Sequence, residues 1–105
     1  MTGLIQVNCN CPDDNIATEL ANTIIELKLA ACVNIVSNVK SIYRWQGKIE
    51  RDVESQLQIK TSVELYPELE KLIIRLHPYD VAEVIAHPIT NGNQEYIDWL
   101  KGNLK

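Results

Sequence analysis

The sequence predicts an α+β fold of the ferredoxin-like kind, a four-stranded antiparallel sheet with two helices on one face. Three observations carry this. Segments of period two and of period 3.6 follow one another in the order βαββαβ, with a short helix after the last strand. The two middle strand segments are very long and meet at a glycine turn. No linker, repeat or low-complexity stretch interrupts the 105 residues, so residues 1–105 read as one domain with one core.

The first strand is the alternation from Leu4 to Cys11. Ile5, Val7, Cys9 and Cys11 fall on one face; Gln6, Asn8 and Asn10 fall on the other. Pro12-Asp13-Asp14 starts a helix, with Asp13 or Asp14 as N-cap and its acid near the positive helix end. Ile16, Leu20, Ile24 and Leu27 recur at helical spacing. Strand two begins near Ala31 and carries Ile35, Val36, Val39, Ile42, Tyr43 and Trp45. Gly47 supplies the reversal, and strand three runs from Ile49 to about Val63. Tyr66-Pro67 opens a second helix with a buried stripe of Leu69, Leu72, Ile73 and Leu76. His77-Pro78 stops it. Val81, Val84, Ile85 and Ile89 predict a fourth strand, and Asn93 caps a last helix carrying Tyr96, Trp99 and Leu100.

Each arm of the central hairpin, at about 3.3 Å per residue, spans roughly 50 Å. A domain of this size has a radius of gyration near 13 Å. The hairpin therefore bends or overshoots its own domain, and an overshooting hairpin exposes edge groups and aromatic rings. Another copy of the chain is the simplest cover.

Composition excludes several classes. The net charge is −4 and the ten Lys and Arg are scattered, which disfavours nucleic acid. No run of about 20 apolar residues exists, so no membrane insertion is expected. The N-terminal stretch has neither a basic start nor a signal-like apolar core, and the expectation is a soluble, cytoplasmic protein. Three cysteines, an odd and low count, predict free thiols.

Thiols and imidazoles are the donors copper and zinc select, which makes Cys9, Cys11, Cys32, His77 and His87 the metal candidates. Against this, free cysteine often packs as a small hydrophobe. A histidine before proline at a helix end often caps carbonyls. No CxxC, HExxH or closely spaced four-ligand set is present, so a preformed structural zinc site is not expected. Glu83 and His77 are the only acid–base pair on offer, six residues apart with Pro78 between, and no catalysis is expected.

The stretches LAACVNI (Leu29 to Ile35), SIYRWQGKIE (Ser41 to Glu50), Lys60-Thr61, His77-Pro78-Tyr79, Glu83 with Pro88-Ile89, and NGNQEYIDWL (Asn91 to Leu100) stand in the order and spacing of one family. The chain resembles the CutA-type divalent-cation-tolerance proteins over nearly its whole length. The resemblance implies a ferredoxin-like homotrimer whose long hairpins embrace neighbouring subunits. It also implies a tie to tolerance of copper and other divalent metals, and Cys32 matches a family position associated with metal. Together with the ligand chemistry above, the expected function is a non-catalytic protein that binds or responds to a divalent metal such as copper, with Cys9, Cys32 and His77 as the metal residues. Copper or zinc is the expected ion, and no cofactor is required. Tyr43, Arg44, Trp45, Lys60, Tyr79 and Glu83 sit at family-matching positions and are expected in the intersubunit cleft or interface. The alternative function is a sensor of a small anionic molecule in that cleft, like the trimeric nitrogen-regulatory P-II proteins. The chain departs from the family pattern at Ala82, His87 and Cys11.

Overall fold

The computed structural model describes residues Met1–Lys105. Strand β1 (Leu4–Cys11) and helix α1 (Asp14–Glu26) lead into β2 (Cys32–Trp45) and β3 (Lys48–Ser62). Helix α2 (Tyr66–Leu76), β4 (Ile85–Ile89) and α3 (Gln94–Gly102) complete the chain. The four strands form one sheet in the order β2-β3-β1-β4, and every neighbouring pair is antiparallel. This is the ferredoxin-like α+β arrangement the sequence predicts.

Local chemistry explains the boundaries. Asp13 is the N-cap of α1, its carboxylate accepting from the Ile16 N–H at 2.9 Å. Pro67 stands in the first turn of α2. Asn93 caps α3 by accepting from the Glu95 N–H at 2.9 Å. Between β2 and β3, Gln46 (φ 50°) and Gly47 (φ 79°) both take the left-handed region, which matches the twist of a two-residue hairpin turn.

The alternation in β1 places its apolar set on the helix side of the sheet. Ile5, Val7, Cys9 and Cys11 join Leu57 and Ile59 of β3 against Ala17, Leu20 and Ile24 of α1 and Leu69, Leu72 and Ile73 of α2. A smaller cluster of Leu4, Ile97 and Leu100 seats α3 at the other end. The opposite face of β1 and β3 carries half-buried polar side chains. Gln56 donates to Asn10 at 3.0 Å, and Lys60 donates to Asn34 at 2.7 Å.

The hairpin does overshoot. The molecule measures 45 × 25 × 22 Å with a radius of gyration of 14.2 Å. A bulge between Val36 and Val39, with Asn38 at φ 60°, bends β2 where it leaves the sheet. Beyond it Ile42, Ile49 and Val53 are exposed.

Strand four is shorter than its sequence suggests. Val81 and Val84 lie outside it, because β4 pairs only with Leu4–Asn8 of β1. Residues 77–84 instead form an irregular segment past the end of that pairing.

Candidate functional site

Two donors come from β1 and one from the end of α2. Cys9 and Cys11 are two apart on the strand, so both thiols face the helices, and both are fully buried. His77 follows α2 and is also buried. The ligating atoms of Cys9, Cys11 and His77 all lie within 4.8 Å of one another.

His77 is the C-cap residue of α2, but its imidazole does not cap the helix carbonyls. Its backbone N–H closes α2 on Ile73, but its ring crosses to β1. Nδ1 accepts from the Tyr79 N–H at 3.1 Å. The ring proton therefore sits on Nε2, which donates to the Asn10 carbonyl at 2.7 Å, beyond the end of β4. Asn10 Nδ2 in turn donates to Glu54 at 3.3 Å, and the Tyr79 hydroxyl donates to the other Glu54 oxygen at 2.7 Å. His77, Asn10, Glu54 and Tyr79 thus form a closed ring of hydrogen bonds.

The two sulfurs share their protons unequally. Cys9 Sγ points to the Asn10 carbonyl at 3.9 Å. Interaction with the adjacent Cys11 sulfur, then burial and the nearby Glu83 and Glu54 charges, pushes the Cys9 thiol well up. The same interaction between the two sulfurs lowers Cys11, making it the one that loses its proton first.

These donors fit a soft or borderline ion. Bonds of about 2.3 Å to sulfur and about 2.0 Å to nitrogen put tetrahedral donors roughly 3.5–3.8 Å apart, a contraction of about 1 Å from the limit seen here. Ligation by His77 requires one ring nitrogen to leave its partner, at the expense of about one hydrogen bond. Burial of all three donors means that an ion enters through local opening.

Cys32 does not join them. It opposes Lys60, whereas Cys9 opposes Leu57, and the odd separation puts their side chains on opposite sheet faces. Its sulfur lies near Asn34 and Tyr96. Cys11, a candidate by its chemistry but outside the expected set of Cys9, Cys32 and His77, stands beside Cys9 and His77 instead. His87 is exposed on β4, opposite Gln6.

The aromatic candidates gather elsewhere. Tyr43, Trp45, Tyr79 and Glu83 line one cavity of about 480 Å³, together with Glu54 and Asp80. Tyr79 is raised by burial and by its bond to Glu54. Arg44 and Lys60 are not part of the lining, and no Lys, Arg or His is. An anion-binding cleft was the alternative the sequence offered; the residues that come together within this chain have the opposite charge.

The profile of the family described as CutA1 divalent ion tolerance protein matches residues 5–103. The chain belongs to this family. The divalent-cation tolerance protein CutA of Thermus thermophilus is 47% identical over 92 residues, covering 88% of this chain and 89% of the relative. Mouse protein CutA is 47% identical over 90 residues, covering 86% of this chain but only 51% of the relative, so the chain spans about half of that mammalian protein. The crystal structure of CutA1 from Oryza sativa superposes with a TM-score of 0.95 at 43% identity, covering 100% of this chain and 98% of that one. The Thermus thermophilus structure gives 0.94 at 43% identity, covering 97% and 99%.

For a CutA1 protein the instructive misses are Cys11, Glu54 and Asn10. The period-two pattern of β1 already placed Cys11 beside Cys9, so that signal was available. Glu54 had none. It lies among alternating polar residues, and only the return of residues 78–83 over it makes it buried.

Proposed function

We propose that this protein is a homotrimeric, non-catalytic divalent-cation tolerance protein that binds copper or zinc through Cys9, Cys11 and His77. The observation that carries the reading is the convergence of two thiols and an imidazole within 4.8 Å in a family of that name. Sulfur and imidazole select copper and zinc over magnesium and calcium, which take oxygen ligands. One or two thiolates also offset the charge of a divalent ion in a site that has little water. Binding releases protons, so affinity falls as pH drops. Trimer formation is supported by the apolar side chains left exposed along the hairpin, and closed cyclic symmetry covers each copy equally.

The test is calorimetry against a competing chelator on reduced protein. Cys11→Ser is expected to weaken zinc by more than about 100-fold, above what loss of an outer-shell partner costs. Cys32→Ser is expected to leave it unchanged. Equal and weak affinity in wild type, Cys11→Ser and Cys32→Ser would overturn the site.

A further inference from the structure

The cavity of about 480 Å³ is lined by acids and aromatic rings and by no cationic side chain. Glu54 is its most buried acid, only 6% exposed, whereas Asp80 and Glu83 stand exposed at its rim. Both partners of Glu54, the Asn10 amide and the Tyr79 hydroxyl, are neutral. Each Glu54 oxygen takes one of these bonds, where a carboxylate oxygen accepts two. No cation of the chain answers these charges, since its one ion pair, Lys105 with Glu68, is elsewhere. A buried carboxylate without a counter-cation is costly.

The walls narrow the kind of cation. Tyr43, Trp45 and Tyr79 contribute rings, and the Tyr43 and Tyr79 hydroxyls are already committed to Asp52 and Glu54. Ring faces attract organic cations and offer no ligand atom to a metal ion. A hard divalent ion gathers about six oxygens within roughly 2.5 Å, and this cavity is far wider than that. Its volume falls in the range of small-molecule sites, roughly 300–1,000 Å³. The unfilled capacity of Glu54 calls for N–H donors, which a quaternary ammonium lacks. A buried acid, two rim acids and apolar lining such as Val81 and the rings suit a chain with positive ends and an apolar middle.

We infer that this cavity binds an aliphatic dication, a diamine or an aminoalkyl guanidine without a carboxylate, with one charged end against Glu54 and the other at Asp80 and Glu83. A basic amino acid has the same cationic end but brings a carboxylate of its own, which the three acids repel. The cavity shares no residue with the three metal donors, Cys9, Cys11 and His77, and takes a different class of ligand.

Calorimetry with agmatine on the purified, reduced protein tests it. One agmatine per chain is expected, bound at least tenfold more tightly than arginine, which differs only by its carboxylate, and more weakly as salt rises. Glu54→Gln is expected to weaken agmatine at least tenfold, and Trp45→Leu about threefold or more. Glu95→Gln, on α3 and outside the lining, is expected to leave it unchanged. Circular dichroism checks that each variant folds. Should Glu54→Gln misfold, Glu83→Gln with Asp80→Asn takes its place, with an expected weakening of about fourfold or more. In the Trp99→Phe protein Trp45 is the one remaining tryptophan, and its emission should change with the same midpoint as the heat. No saturable agmatine binding below about 1 mM overturns the site, as does equal affinity for agmatine and arginine. Equal weakening in the cavity variant and in Glu95→Gln would show an adventitious response to net charge and overturns it too.

Discussion

Ile42→Ala gives the most direct measure of what the hairpin does. Ile42 is 70% exposed in the single chain, on the arm of the hairpin beyond the bulge. The substitution removes three carbons, worth about 2.4 kcal/mol on full burial at about 0.8 kcal/mol each. Since 70% of the residue remains to be covered by a partner, about 1.7 kcal/mol belongs to assembly. A closed trimer contains this contact three times, so the assembly loses about 5 kcal/mol, or 10³- to 10⁴-fold in its association constant. The half-assembly concentration of a monomer–trimer equilibrium varies as the inverse square root of that constant. It should therefore rise roughly 30- to 100-fold. Sedimentation across a dilution series reads this directly, at a fixed low urea concentration if wild type does not dissociate in buffer. Far-UV circular dichroism of the variant should match wild type, because Ile42 touches no core cluster. A shift below about threefold would mean that Ile42 stays in water and that the overshooting arm is not an interface.

Four further outcomes are expected. His77→Ala removes the Tyr79 N–H's acceptor and the strong bond to the Asn10 carbonyl, which keeps the weaker contact of the Cys9 thiol at 3.9 Å, so urea unfolding should show a loss of about 2–4 kcal/mol. In native, reduced protein Cys32 should react with a thiol reagent well before Cys9 and Cys11, which are fully buried, and three thiols should appear on denaturation. Asp14 is held below the usual carboxylate range by the Ser55 and Ser37 hydroxyls. Its contribution to stability is present above the unfolded value and lost as pH falls through the depressed one, so Asp14→Asn should flatten the acid limb of the stability profile. Tyr43 is pushed up to about 12, mainly by donating to Asp52. Its contribution is complete below about pH 10 and lost as pH rises through 12, which absorbance titration of wild type against Tyr43→Phe should show.

The parts of this fold set by short-range chemistry were legible. The Asp13 and Asn93 caps, the Gln46-Gly47 reversal and the β1 alternation each act within a few residues, and all stand where the sequence places them. What the sequence misplaced depends on contacts across the chain. Val81 and Val84 have strand chemistry but no partner, since β4 pairs no further along β1 than Asn8. Cys32 resembles a metal residue by position, but sheet parity turns it away from Cys9. His77 carries the signature of a helix stop, and its ring still serves a strand 67 residues away.

The hydrogen-bond ring also decides which variants can separate the two halves of the site. His77 belongs to both. Its ring is one of the three proposed metal donors, and its Nδ1 holds the Tyr79 backbone whose hydroxyl reaches Glu54 in the cavity. An ion that takes a His77 nitrogen must loosen either the Tyr79 or the Asn10 bond, and both lead to Glu54. His77→Ala therefore disturbs metal affinity, β1 and the cavity wall together, and a loss seen there assigns nothing. Cys11 touches only the first half: its sulfur faces the helices, away from the cavity. A weakening of metal in Cys11→Ser with agmatine binding unchanged isolates the ion site. A weakening of agmatine in Glu83→Gln with Asp80→Asn, with metal affinity unchanged, isolates the cavity. If both variants change both properties, the ring couples the sites, and by linkage metal must then change agmatine affinity to the same degree that agmatine changes metal affinity.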